Sequence, residues 1–193
     1  MRRGVLAGLA MMATASAHAD PPGPVPVIEE QVQTHYYEIH GRDARALHAA
    51  LESRTHGRGV GETGIRIEFE FAARQSAHGC QLTELGVRLD MVVIYPRWMN
   101  ADDASPELRR RWDRFIAALE VHEEGHAQLA REGAGEIARR LAESAPAPDC
   151  RTLQENLSRR YDVMRAALDG RQRAYDRETG AGRFQGAHLR FSD

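Results

Sequence analysis

His122, Glu123 and His126 stand in the run Val121-His122-Glu123-Glu124-Gly125-His126-Ala127, which spells His-Glu-x-x-His. On a helix, positions four apart are separated by about 40° and about 6 Å, so both imidazoles project from one face and can grip a single metal ion. Glu123 lies one step round from His122, where its carboxylate can take a proton from a water beside the metal. A chain of this length and composition yields the pattern by chance only about 0.04 times, so the match carries weight. The chemistry these residues suit is metal-assisted hydrolysis with a glutamate as general base.

Such residues need a helix beneath them, and the sequence predicts one. Ser105-Pro106-Glu107 is a start signal, with serine as N-cap, proline at the first helical position and an acid in the first turn. Leu108, Trp112, Phe115, Leu119, His122, His126, Leu129 and Ile137 recur at helical spacing, so the two histidines continue the apolar stripe and point inward. Burying two imidazoles side by side without partners is costly, and one shared cation satisfies both. The helix is expected from about Pro106 to Glu143, ending at Ser144-Ala145-Pro146-Ala147-Pro148, which cannot continue it. Asp149 can cap a second helix, along which Cys150, Leu153, Leu157, Tyr161, Met164 and Leu168 repeat in the same way. The two should form an antiparallel helical hairpin, with His122 and His126 level with residues 168 to 172.

A catalytic zinc usually takes three protein ligands and leaves its fourth position to water, so two histidines need a companion. Glu132 follows His126 by six residues, but Leu129 stands where a glycine would have to turn the chain, and it is set aside. Asp169 and Asp176, late in the second helix, are the favoured candidates, with Asp176 first and His188 in the tail as a further one. Tyr161 or Tyr175 could support a developing oxyanion; tyrosines at helical spacing also serve simply as core.

Ahead of the helices the pattern changes. Gln31 to His40 predicts a first strand, and Ala44 to Arg54 a short helix carrying Leu47 and Leu51. A glycine-rich stretch, Gly57 to Gly61, leads into Ile65-Arg66-Ile67-Glu68-Phe69-Glu70-Phe71, a strict alternation with the period of a half-buried strand. Leu85, Val87, Leu89, Met91 and Val93 alternate again before Pro96, which predicts a strand antiparallel to the previous one. The fold class is thus α+β, a small antiparallel sheet packed against a long helical hairpin. An extended substrate could add to an exposed edge of such a sheet.

Met1-Arg2-Arg3, the apolar stretch Gly4 to Met12 and Ala17-His18-Ala19 have the features of an export signal over residues 1–19, cleaved after Ala19. Its apolar stretch is far shorter than the roughly 20 residues that span a bilayer. Residues 20–30 begin with a Pro-rich segment, Asp20 to Pro26, and read as an extended arm, leaving 31–193 as one domain. Without Arg2 and Arg3 the chain carries 24 basic against 28 acidic residues, a balance that points away from nucleic acid and anionic membranes as partners. Every basic residue is arginine. Cys80 and Cys150 are an even pair in an exported chain, which favours a disulfide closing about 70 residues. The expected location is the periplasm or the exterior.

Taken together, the strand pair around Cys80, Tyr95-Pro96-Arg97-Trp98, the Trp112 helix with its His-Glu-Glu-Gly-His core, and Tyr175-Asp176-Arg177-Glu178-Thr179-Gly180 resemble the DUF922 family of predicted secreted zinc-dependent proteases. The resemblance covers most of the chain beyond the signal. It implies a zincin-like domain, a zinc cofactor, a peptide or protein substrate and a metallopeptidase activity with Glu123 as the base. In the family pattern a His-Gly pair closely follows the threonine, whereas this chain reads Ala181-Gly182; Asp176 or His188 would then complete the metal site. Two other readings stand beside it: a non-catalytic exported module that binds metal or a partner, and an amidase acting on cell-wall peptides.

Overall fold

The computed structural model describes residues 23–55 and 59–189. The expected export signal, the first residues of the arm, and Gly57 and Arg58 of the glycine-rich stretch lie outside them.

Alternating sequence builds the sheet. The segments 65–71 and 85–93 fall in β2 (Glu62–Ser76) and β3 (Gly79–Trp98), which pair antiparallel. Leu85, Val87, Leu89, Met91 and Val93 are all buried, as a period of two requires when one face meets the helices. The alternation slips once. Ala72 pairs with Glu84 but Ala73 with Leu82, leaving Thr83 as an extra residue, and this bulge returns Leu82 and Cys80 to the buried side.

The sequence predicts an antiparallel sheet, and here the structure differs: the sheet is mixed. β1 (Val27–Ile39) runs parallel to β3, and the strand order is β1-β3-β2. The physical reason is the connection through α1 (Ala44–Thr55), which is long enough to step across the width of one strand. It leaves a slot between β1 and β2, and β3 fills it. Being antiparallel to β2, β3 then runs parallel to β1. β1 also begins at Val27, four residues inside the span 20–30 expected to be an arm.

Two long helices cover one face. α2 (Pro106–Ala142) starts where its signals place it, with Ser105 Oγ accepting a hydrogen bond from the Leu108 amide at 3.2 Å. α3 (Cys150–Thr179) is capped in the same way by Asp149 Oδ1, 2.7 Å from the Thr152 amide, and ends at Gly180 in the left-handed conformation. Between the helices, contacts link Gly125 with Tyr175, Gly133 with Leu168 and Ser144 with Arg160. Ala127, Ala130, Ala134 and Ala138 are buried on the same helix, so small side chains set a close approach to the sheet and to α3. Cys80 and Cys150 form a disulfide with a Cα–Cα separation of 5.0 Å. Two backbone hydrogen bonds between Cys80 and Ala147, 2.7 and 3.0 Å long, fasten the interhelical loop to the start of β3 beside it.

The apolar interior has two parts. The larger lies between the sheet and the helices, where Val87, Leu89 and Met91 meet Ile137, Leu141, Leu153, Leu157 and Leu168. The smaller joins Ile39, Leu47, Leu51 and Trp98 to Leu108, Trp112, Phe115 and Leu119 at the N-terminal half of α2. The middle of α2, with the His-Glu-x-x-His run, lies between them. No helix among the described residues is long and apolar enough to cross a membrane.

Candidate metal centre

The helix does to the motif what its period demands. His122 and His126 share a face of α2, their ring centroids are 4.8 Å apart, and both are buried, as is Glu123. The two rings point at the last turns of α3. There Asp176 Oδ1 lies 3.3 Å from His122 Nε2 and 2.9 Å from His126 Nε2. One ligand atom from each of the three residues falls within 4.8 Å of the others, and this is the one group of that kind among the described residues. The Asp176 side chain is half-exposed while His122 is closed off, so the cluster opens to solvent on the α3 side.

The outer nitrogens decide the protonation pattern. Gln172 Nε2 donates to the His126 carbonyl at 3.0 Å, which turns its Oε1 to within 2.6 Å of His126 Nδ1. Gln185 does the same for the other ring: its Nε2 donates to Tyr175 Oη at 3.0 Å, and its Oε1 lies 3.0 Å from His122 Nδ1. An amide oxygen only accepts, so each Nδ1 carries the hydrogen. In a neutral imidazole the lone pair is then on Nε2. Two nitrogen lone pairs and a carboxylate oxygen therefore converge on one point, an arrangement that requires a cation or extra protons between them. With zinc–ligand distances of about 2.0–2.1 Å, tetrahedral geometry separates ligand atoms by roughly 3.3 Å, close to the 3.3 and 2.9 Å from Asp176 Oδ1 to the two rings. An oxygen acceptor on the second ring nitrogen is also what ligating histidines commonly have. The donor set could hold a metal ion.

Glu123 is held apart from this cluster. Its Oε2 accepts a 2.7 Å hydrogen bond from Thr63 Oγ1 on β2. Its Oε1 faces Gly61, where an ideal Cβ would come within 2.4 Å of it, so the start of β2 closes over the carboxylate only because residue 61 is glycine. Burial pushes the carboxyl above its ordinary range, opposed by the Thr63 hydrogen bond and by the two histidines.

Tyr175 packs the rings together. It stacks on His122 with centroids 5.1 Å apart and planes 12° from parallel, and meets His126 edge-on at 5.0 Å. Its hydroxyl lies against Gly125, where any Cβ would be 2.0 Å away. Beyond α3 the chain turns through Ala181 and Gly182, both with positive φ, and Gly182 closes to within 3.1 Å, measured from an ideal Cβ, of His122 Cγ.

Of the sequence-derived candidates, His122, Glu123, His126 and Asp176 come together, with Tyr175 beside them. Asp169 does not join them; it pairs with Arg165 one turn away on its own helix. His188 is outside the cluster as well, and Glu132 is bound to Gln128 on the surface of α2 at 3.1 Å. Tyr161 is not an oxyanion partner, because its hydroxyl is hydrogen-bonded to the Ile67 carbonyl on β2. The site also contains residues that sequence reasoning missed. Gln172 precedes Asp176 by four positions and so shares its helical face, a spacing that could have flagged it. Thr63, Gly61 and Gln185 have no comparable sequence signal.

No curated protein and no solved structure matches the chain. A family model described as a bacterial protein of unknown function matches residues 34–184, a span that takes in the C-terminal end of β1, the whole helical pair, all four site residues and the turn beneath His122. The chain belongs to that family, DUF922.

Proposed function

We propose that this protein is an exported zinc-dependent hydrolase, most simply a peptidase, with His122, His126 and Asp176 holding the metal and Glu123 as general base. The observation that carries the reading is the convergence of two Nε2 lone pairs and the Asp176 carboxylate, with each Nδ1 fixed as donor by a glutamine. The opposed order of the contacts between α2 and α3 is what an antiparallel hairpin produces, which supports reading the helices and the sheet behind them as a zincin-like fold. Export is supported by the Cys80–Cys150 disulfide, which persists in oxidising compartments.

When bound, zinc supplies a Lewis acid that polarises a scissile carbonyl and brings the acidity of water close to neutral pH. Glu123 accepts the proton of the attacking water. Thr63 donates to Oε2 and so holds the carboxylate in place while it takes the proton and passes it to the leaving amine. Burial raises the carboxyl, which makes its anion a stronger base. Asp176 binds through a carboxylate that remains half-exposed, so a substrate can approach from the α3 side. Tyr175 lies against both rings and keeps them from rotating out of register.

The test begins with zinc content and calorimetric zinc affinity of the purified protein, compared with His126→Ala and Asp176→Ala. One zinc per chain in the wild type and loss of at least tenfold in affinity in each variant is expected. Hydrolysis of casein, mixed peptides and cell-wall peptide fragments is then compared with Glu123→Gln, which should keep zinc and lose turnover. Zinc binding without Glu123-dependent hydrolysis would leave a metal-binding module. No zinc at all would remove the centre.

A further inference from the structure

We propose that β1 is a dimerisation strand, pairing antiparallel with β1 of a second copy about a two-fold axis at Val32 to join two three-stranded sheets into one of six. The inference rests on β1 alone and is independent of the metal centre. Among the described residues β1 has one strand neighbour, β3, and forms the sheet edge. It is 13 residues long, Val-Ile-Glu-Glu-Gln-Val-Gln-Thr-His-Tyr-Tyr-Glu-Ile, holds no lysine, proline or bulge to blunt the edge, and carries its charge as Glu29, Glu30 and Glu38. Exposed large apolar side chains collect here: Ile28, Val32 and Tyr36 are 47%, 47% and 52% exposed.

Backbone direction fixes which residues can pair. The Met99 amide donates to the Ile39 carbonyl while Ile39 is level with Trp98, so odd-numbered residues of β1 turn their backbone groups toward β3. Even-numbered residues turn theirs outward. Ile28, Val32 and Tyr36 are all even, and their side chains lie on the helix-facing side, where Glu30 is bound to Arg131 of α2 at 3.0 Å. A second β1 can then bond only with even residues opposite even ones.

Among the registers this allows, centring on Val32 is self-complementary on both faces. On the helix side Val32 meets Val32, Ile28 meets Tyr36, and Glu30 meets Thr34. On the other side Glu29 meets His35, Gln31 meets Gln33 and Val27 meets Tyr37. Centring on Gln33 instead sets Ile28 against Glu38 and Glu30 against Tyr36. Centring on Gln31 sets Glu30 against Val32. The favoured register pairs residues 27 to 37, a seam of roughly 35 Å.

Sedimentation equilibrium of the whole folded protein should give twice the monomer mass at micromolar concentration. Val32→Arg, which sets two guanidinium groups face to face on the axis, should give the monomer mass with unchanged far-UV circular dichroism and zinc content. Register is read by single cysteines: residues level at a bonded antiparallel pair have Cα atoms about 5.5 Å apart, within disulfide reach. Val32→Cys should therefore oxidise to a covalent dimer, whereas Ile28→Cys, eight residues out of register with itself, should not. A wild type that is monomeric at 100 µM overturns the proposal and leaves the edge for a peptide ligand. So does a dimer that survives Val32→Arg, or crosslinking at 28 without crosslinking at 32.

Discussion

Replacing Gly125 with alanine tests whether the helix pair is as closely fitted around the histidines as the distances say. An ideal Cβ at 125 lies 2.0 Å from Tyr175 Oη and 2.3 Å from its Cζ, whereas at Gly135, ten residues further along the same helix, nothing lies within 4 Å. Carbon atoms rest at about 3.5–4.0 Å, so the tyrosine must retreat by about 1.5 Å. Its ring is rigid, and three of its atoms stand within 2.9 Å of the new methyl, so no rotation of a flexible tip relieves the contact. Overpacking of this kind costs about 1–3 kcal/mol, and losing the stack on His122 adds about 1 kcal/mol. Alanine recovers about 1 kcal/mol of helix propensity. The net expectation is a loss of about 1–3 kcal/mol for Gly125→Ala and a gain of about 1 kcal/mol for Gly135→Ala. For a domain of this size each kcal/mol moves the melting temperature by about 2–4 °C, so the two variants should melt about 4–16 °C apart, with opposite signs relative to wild type. Differential scanning calorimetry reads this directly. Equal melting temperatures would refute the packing argument, and with it the claim that Tyr175 braces the two histidine rings. Zinc affinity, measured in parallel, should fall for Gly125→Ala and stay level for Gly135→Ala.

Further outcomes follow from the same geometry. Thr63→Val leaves the buried Glu123 carboxylate without its 2.7 Å donor and should cost about 1–3 kcal/mol in urea unfolding, with Thr63→Ser restoring most of it; a neutral Thr63→Val would show that the hydrogen bond is not made. Reducing Cys80–Cys150 reopens a separation of 70 residues and should lower stability by about 4 kcal/mol, read as a melting temperature roughly 10–15 °C lower under reductant. Burial pushes the Tyr37 hydroxyl, which donates to the Val60 carbonyl at 2.8 Å, from 10.0 up to about 12. Between those values the folded chain holds a proton that the unfolded chain has released, so raising the pH through that window favours unfolding. Urea midpoints should thus decline from pH 10 toward 12, less steeply in Tyr37→Phe, and an identical slope in that variant would assign the decline to other groups.

What was legible in the sequence follows from the range over which each signal acts. The alternation in Ile65 to Phe71 and Leu85 to Val93, and the Ser105-Pro106 start of α2, are local, and the elements stand where those residues predict. The sequence predicts a strand from Gln31 to His40, but its start at Val27 and its partner carry no local signal, because nearly all of it is exposed on both faces and its neighbour is set by a slot formed between distant segments. Its parallel direction is accordingly a product of topology. The Thr83 bulge is hidden for a related reason, since an extra residue shows itself only against the opposing strand. At the site, His122, Glu123 and His126 were legible because helical spacing alone brings them together. Counting across the interhelical turn placed their level at 168 to 172, while the residues that meet them are Gln172 and Asp176, about one turn further on. Thr63 and Gln185 arrive from β2 and from the turn after α3, where no repeat in the sequence announces them.

The placement of the disulfide has a geometric consequence for Asp176. Cys150 is pinned at the first residue of α3, and the carboxylate stands 26 residues along it, which at 1.5 Å each makes a lever about 39 Å long. A tilt of 2° at the pinned end swings the tip by about 1.4 Å, several times the roughly 0.2 Å tolerance of a metal–ligand bond. The crosslink thus restricts where α3 begins without fixing where it points. Aim must be set near the tip, by the bare backbone of Gly125 and Gly133 letting Tyr175 and Leu168 sink against α2, so the steadiness of the carboxylate is governed by the absence of two side chains.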